Sequence, residues 1–204
     1  DPQILYAGFG SRGQGVYRST DGGVSWEPTA FQVQEVFDLA IDPRNCSTVY
    51  AGAWRDGVRR STDGGRSWEP VGDGLAEAFV YAVVIDPTDG SVLYAGTAEQ
   101  GVFRSDDAGA TWEAWGGGAA TVTDLVVEPE ATIIYAATWG SGVIRRERDA
   151  TGWGAWTTVN EGIPEADRQV YAVAVDPTDP SRVFAATAAG GVYRSGDGGR
   201  TWQQ

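Results

Sequence analysis

The chain has 204 residues, with 15 Lys+Arg against 28 Asp+Glu for a formal charge of −13, and it has no histidine. So acidic a chain offers no clustered cations for a nucleic-acid backbone. Without imidazole, Ser-His-Asp, Cys-His and His-zinc chemistry are excluded. Every cation is an arginine, and the single cysteine, Cys46, can form neither an internal disulfide nor a thiolate cluster. No apolar run approaches the length of a membrane-spanning helix, and nothing calls for a metal or a cofactor. The chain opens on Asp1 with no initiator Met, as a mature secreted form or an excised piece would.

Taken in order, the elements are short strands separated by Gly, Pro and Asp turns. The chain enters on ILYAGF (4–9), passes a turn into GVYRS (15–19), then runs through STDGGVSW (19–26). VFDLAID (36–42) ends in Asp-Pro, which stops a strand and starts a turn. The series then repeats, with TVYAGAW (48–54), GVRRS (57–61) and STDGGRSW (61–68). A further YAVVID (81–86), VLYAGT (92–97), GVFRS (101–105) and SDDAGATW (105–112) follow. VTDLVVE (122–128), TIIYAAT (132–138) and GVIRR (142–146) lead to a degenerate copy ending at Trp156. VYAVAVD (170–176), VFAAT (183–187), GVYRS (191–195) and SGDGGRTW (195–202) close the chain.

Trp26, Trp68, Trp112, Trp156 and Trp202 are spaced 42, 44, 44 and 46 residues apart, the period of a four-stranded propeller blade. This predicts an all-β, five-bladed β-propeller of four-stranded antiparallel blades in one domain. The repeats run over about 1–28, 29–70, 71–114, 115–158 and 159–204. The near-continuous apolar first strands of each period are expected to be buried on both faces. That strand occurs four times and the others five, so the first blade should lack its innermost strand. An open edge of this kind needs a cover, from self-association or from a segment completing the blade.

The S-x-D-x-G-x-[ST]-W pattern at 19–26, 61–68, 105–112 and 195–202 resembles the Asp-box, or bacterial neuraminidase (BNR), repeat. The wider pattern is similar to repeats in xyloglucan-specific endoglucanases, sialidases, sortilin-type receptors and photosystem II assembly factors. The resemblance implies a propeller. It spans hydrolases, assembly factors and binding domains, so it leaves function to the site.

Within each box the carboxylates of Asp21, Asp63, Asp107 and Asp197 are placed to cap turn N–H groups. Trp26, Trp68, Trp112 and Trp202 are large rings that tie the turn to its blade. A structural role is expected for all eight.

Ligand-binding residues are sought in the loops that break the repeat. Those at 9–15, 53–57, 97–101 and 138–142 carry Arg12, Trp54, Arg55, Asp56, Glu99 and Trp139. Aromatic rings beside charged groups suit sugars, with rings on apolar C–H faces and charges on hydroxyls. The plain alternative is that Trp54 and Trp139 cap neighbouring blades. Phe31, Phe79, Trp115, Glu165, Asp167 and Arg168 lie in the other loops of the same mouth.

Asp38 and Asp124 stand where Ala82 and Ala172 stand in the other inner strands. They serve either as a glycosidase acid/base pair or as backbone hydrogen-bond acceptors. The expectation is a non-catalytic, secreted, periplasmic or cell-surface propeller that binds a glycan or a protein. Its competitors are a glycoside hydrolase and an assembly scaffold.

Overall fold

A computed structural model describes residues 3–10, 14–32, 35–75, 78–118 and 120–204. The described residues form five antiparallel sheets in chain order. The first holds β1 (Leu5–Gly8), β2 (Val16–Ser19) and β3 (Glu27–Pro28). In the second are β4 (Val36–Ile41), β5 (Val49–Ala53), β6 (Gly57–Ser61) and β7 (Glu69–Val71). The third has β8 (Val80–Ile85), β9 (Leu93–Thr97), β10 (Gly101–Ser105) and β11 (Glu113–Gly116). The fourth has β12 (Val122–Val127), β13 (Ile133–Thr138) and β14 (Gly142–Asp149). There β15 (Gly152–Trp153) and β16 (Thr157–Thr158) both pair with β14. The fifth has β17 (Val170–Val175), β18 (Val183–Thr187) and β19 (Gly191–Ser195).

The first sheet therefore has three strands and begins at the second strand of the repeat. Two further sheets depart from a regular four-strand plan. In the fourth, β14 runs on past the usual turn into a hairpin at Asp149–Gly152, because no Asp-box is there to end it. In the fifth, the outermost pairing is reduced to one antiparallel bridge, Arg194 to Gln203.

The chain divides into two compact units. One comprises Asp1–Ile85, Gly90–Ala95 and Arg104–Glu113, and so contains the first two sheets. The other comprises Asp86–Asp89, Gly96–Phe103 and Ala114–Gln204, with the last two sheets. Strands of the third sheet contribute residues to both.

Burial corrects one expectation. The strands buried along their whole length are the second ones of the repeat, β5 and β9, while β4 and β17 are exposed along one side. A second strand has a hydrogen-bonded neighbour on each edge. Its small Ala and Gly residues let adjacent sheets come close: a Cβ on Gly52 would meet Val80 Cγ1 at 2.9 Å and the Val80 carbonyl oxygen at 3.1 Å. In the first unit Val16, Phe31, Val36, Ala51 and Ala53 make one core cluster. In the second, Tyr135, Val143, Ile163, Val170, Tyr193 and Trp202 belong to another.

Each Asp-box turn is closed by its own side chains. Ser19 Oγ donates to Asp21 Oδ1 at 2.8 Å and accepts the Gly23 N–H at 2.8 Å. Ser25 donates through N–H to Asp21 Oδ1 at 2.9 Å and through its hydroxyl to Oδ2 at 2.6 Å. The same four bonds recur around Asp63, Asp107 and Asp197. They satisfy the carboxylate so fully that its pKa is lowered, to about 2 at Asp21 and Asp63, with the hydrogen bonds from Ser25 and Ser67 the leading causes.

Adjacent sheets meet at these turns. In the first unit Tyr50 and its cross-strand partner Arg60 both donate to the Ala108 carbonyl oxygen, each at 3.1 Å. In the second, Tyr135 donates to the Gly198 carbonyl oxygen at 2.9 Å, and its partner Arg145 donates to the same atom.

Candidate functional site

The inner strands share a defect that shapes the site. Register shifts between Val36 and Asp38, between Val122 and Asp124, and between Val170 and Ala172. Each bulge leaves one residue without a ladder partner: Phe37, Thr123 or Tyr171. A bulge breaks the two-residue alternation and re-aims that side chain.

In the first unit the re-aimed Phe37 joins a cluster of rings. Its centroid lies 4.8 Å from Tyr81 and 6.0 Å from Trp54. Trp54 meets Phe79 edge-on at 4.5 Å, and the exposed Arg55 guanidinium sits 5.7 Å from the Phe79 ring centroid. Arg55 holds its place at φ +55°, and the turn backbone is fixed where the Trp54 N–H donates to Glu35 O at 2.9 Å. The result is a half-exposed aromatic patch with a cation at its edge, an arrangement that stacks on flat apolar faces and donates to oxygens.

Asp56 does not join that patch as an open acceptor. Arg59 grips it with two bonds, Nε to Oδ2 and Nη2 to Oδ1, both 2.8 Å, and Arg59 also lies over the Phe31 ring at 5.6 Å. Phe31 itself is buried core, tilted on Trp68 at 5.6 Å.

In the second unit, Trp139 and the bulged Tyr171 form a smaller pair, 5.0 Å apart and edge-on. They are 43% and 53% exposed. Glu99 is exposed at the tip of its turn with φ +64°. Trp115, in β11, is engaged by Trp153, Trp156 and Arg146, whose guanidinium is 4.0 Å from its ring centroid. Glu165 and Asp167 lie in a one-turn 3-10 helix, Glu165–Asp167, where Asp167 accepts the Tyr193 hydroxyl at 2.6 Å. Arg12 lies outside the described residues.

Asp38 and Asp124 are both spoken for. Asp38 accepts the Leu39 N–H on Oδ1 and the Val83 N–H on Oδ2, each at 2.8 Å. Asp124 does the same with Leu125 at 2.8 Å and Val173 at 2.9 Å. Each satisfies the N–H beside a bulge and pins its strand to the next inner strand. Burial pushes the Asp38 pKa up against the pull of those two N–H donors. Among the described residues, no group of three or more Cys, Asp or Glu side chains converges as a metal site.

Phe37, Tyr81 and Tyr171 are absent from the set of ligand-binding residues that sequence reasoning selects. The available signal was an aromatic in the second position of three of the four inner strands. Strict alternation hides it by placing that position away from the loop residues.

Comparison with known proteins agrees with this architecture. The BNR/Asp-box repeat model matches residues 17–28. No curated protein matches the chain by sequence. Among solved structures, the Niastella koreensis GH74 enzyme superimposes with a TM-score of 0.77 at 23% identity, over 98% of this chain and 36% of that one. The GH74 xyloglucanase from Xanthomonas campestris gives 0.74 at 21%, over 98% and 36%. The extracellular domain of a putative one-component system from B. thetaiotaomicron gives 0.71 at 13%, over 95% and 26%. The chain thus spans about a third of the length of the GH74 structures it resembles. At these identities the likeness bears on the fold alone: an all-β chain with propeller-like neighbours, whose five antiparallel sheets are consistent with blades and whose first sheet carries the matched BNR repeat.

Proposed function

We propose that the chain is a non-catalytic binding propeller of five blades, acting outside the cytoplasm as a secreted, periplasmic or cell-surface domain. Its ligand is a glycan, held by the aromatic patch of Trp54, Phe79, Phe37 and Tyr81 with Arg55 at its rim. The observation that carries this reading is that patch: four rings linked in a row, Tyr81 to Phe37 to Trp54 to Phe79, beside an exposed cation. Rings supply flat apolar area for the C–H face of a pyranose, and a guanidinium supplies donors for its hydroxyls. Trp139 and Tyr171 offer a second stacking surface of the same kind.

A catalytic role finds less support. The paired carboxylates that glycoside hydrolysis needs have Asp38 and Asp124 as their candidates, and all four of their oxygens already accept backbone N–H groups. The glycoside hydrolase reading keeps only the fold-level likeness to GH74 enzymes.

One experiment separates these readings. A panel of polysaccharides is scored at once for retention of the protein and for release of reducing ends. The expected result is retention without release, reduced about tenfold in affinity by Trp54→Ala. Release abolished by Asp38→Asn overturns the binding-only reading. A protein client captured independently of Trp54 and Trp139 points instead to a scaffold.

A further inference from the structure

The seam between the first and second sheets keeps the parts of the later seams but not their bonds. Tyr6 of β1 pairs across the ladder with Arg18 of β2, as Tyr50 pairs with Arg60 and Tyr135 with Arg145. Each later pair donates to a carbonyl oxygen of the next Asp-box turn, that of Ala108 or of Gly198. The arginine of each also holds a carboxylate: Arg60 that of Glu69 at 2.7 Å, and Arg145 that of Glu147. At the first seam neither acceptor is engaged. The Tyr6 hydroxyl and Arg18 Nε are buried with no hydrogen-bond partner. Glu27 stands across the ladder from Arg18, as Glu69 does from Arg60, yet among the described residues no ion pair joins the two.

These donors lie where the two sheets part. A Cβ built on Gly64, the counterpart of Ala108 and Gly198, would stand 3.5 Å from the Tyr6 hydroxyl and 4.0 Å from Arg18 Nη2. Beside them a cleft of about 300 Å³ has Arg18, Glu27 and Thr29 on one wall and Gly64, Gly65 and Arg66 on the other. Both walls belong to the first unit. That volume is at the small end of ligand sites, which span about 300–1,000 Å³. Arg66 is exposed and donates Nη1 to the Asp63 carbonyl oxygen at 3.1 Å, so it adds a second positive charge.

A buried donor without an acceptor is destabilising, and the arginine fork is matched by the two oxygens of a carboxylate. Each later seam uses two acceptors, a carbonyl oxygen and a carboxylate. One carboxylate offers two oxygens, enough to replace both. We propose that this cleft is a binding site for a small organic carboxylate. Arg18 anchors it, the Tyr6 hydroxyl donates to one of its oxygens, and the Arg66 charge lies alongside. Glu27 opposes the ligand, both by its charge and as the rival partner of Arg18. Among the described residues no ring of the aromatic patch lines the cleft, so the two sites can be tested separately.

The test uses three probes at constant ionic strength. Acetate supplies the carboxylate alone, glucuronate the same group on a sugar ring, and glucose the ring without the charge. Binding is read from the Gly64 and Gly65 amide signals by NMR and from the rise in unfolding midpoint. The expected result is one saturable site for acetate or glucuronate and none for glucose. Tighter acetate binding marks a free acid as the source, and tighter glucuronate binding marks the acid unit of a glycan. Arg18→Gln and Tyr6→Phe should each weaken binding about tenfold, and Glu27→Gln should tighten it. Should Arg18→Gln fail to fold, Arg66→Gln at its exposed position takes its place. Without ligand, Tyr6→Phe should keep the wild-type unfolding midpoint or raise it, because it removes a donor that has no acceptor. Tyr50→Phe, which loses a bond to Ala108, should lower it. No saturable signal up to about 100 mM, equal binding of glucose, or binding indifferent to these variants overturns the proposal. Equal stability losses in Tyr6→Phe and Tyr50→Phe also overturn it, since the Tyr6 hydroxyl would then already have its acceptor.

Discussion

Asp38 of β4 reaches across to β8, where its Oδ2 accepts the Val83 N–H at 2.8 Å while its Oδ1 accepts the Leu39 N–H at 2.8 Å. One carboxylate thus satisfies a donor on its own bulged strand and one on the neighbouring sheet. Asp38→Ala strands both donors, at a cost of roughly 1–3 kcal/mol for each. Asp38→Asn retains one acceptor oxygen and is expected to lose less. Urea unfolding of both variants measures this, and equal losses would show that the acceptor geometry is unimportant.

The Asp-box carboxylates set the acid limit. The pKa values of Asp21 and Asp63 are held at about 2, and those of Asp107, Asp149 and Asp176 are also lowered, by hydrogen bonds from neighbouring Ser or Thr residues. A carboxylate with a lowered folded-state pKa contributes stability that is present above its unfolded pKa, near 4. That stability is lost as pH falls through the folded value. Stability should therefore drop between about pH 4 and pH 2. Asp38, whose pKa is raised by burial, works in the opposite sense and is relieved by protonation. Urea midpoints from pH 2 to 7 test this, and Asp63→Asn should flatten the acid limb.

Two tryptophans of the same motif are expected to differ. Trp112 is 5% exposed and Trp26 is 39% exposed. Trp112→Ala should cost about 3–5 kcal/mol by cavity formation, and Trp26→Ala roughly a third of that. Equal unfolding midpoints for the two variants would contradict the burial difference.

Trp139→Ala removes an exposed ring, so its unfolding free energy should match wild type within about 0.5 kcal/mol. Its retention on the polysaccharide that binds best should still fall severalfold. A large stability loss with unchanged retention would make Trp139 a packing residue.

How far the sequence could be read depends on the range of the interaction. The Asp-box is local: Ser19, Asp21, Ser25 and Trp26 close one turn within eight residues, so the motif suggests a carboxylate that accepts turn N–H groups, while the Ser19 and Ser25 hydroxyl bonds and the Trp26 indole bond to Gly23 are seen only in the structure. The period also predicts five sheets and a first sheet that starts at its second strand. Phe37 and Tyr171 were obscured because a bulge, which no residue type announces, shifts them out of alternation. Asp56 reads as an open carboxylate until the turn brings Arg59 back onto it with two bonds. That Asp38 and Asp124 occupy the same position of the repeat is legible in the sequence, but their partners Val83 and Val173 lie in the next repeat. The degenerate fourth copy is visible in the sequence, but the extension of β14 into a hairpin and the pairing of both β15 and β16 with it are visible only in the structure.

The seams between sheets read a main-chain oxygen. Tyr50 and Arg60 receive the carbonyl of Ala108, and Tyr135 and Arg145 receive that of Gly198. Every residue has such an oxygen, so recognition survives a change of side chain at the turn. A unit whose joint is indifferent to its neighbour's side chains can be copied, and the copies can diverge, without each joint having to be invented again. The drift among these five repeats, with Ala108 where Gly64 and Gly198 stand, is the trace such duplication leaves.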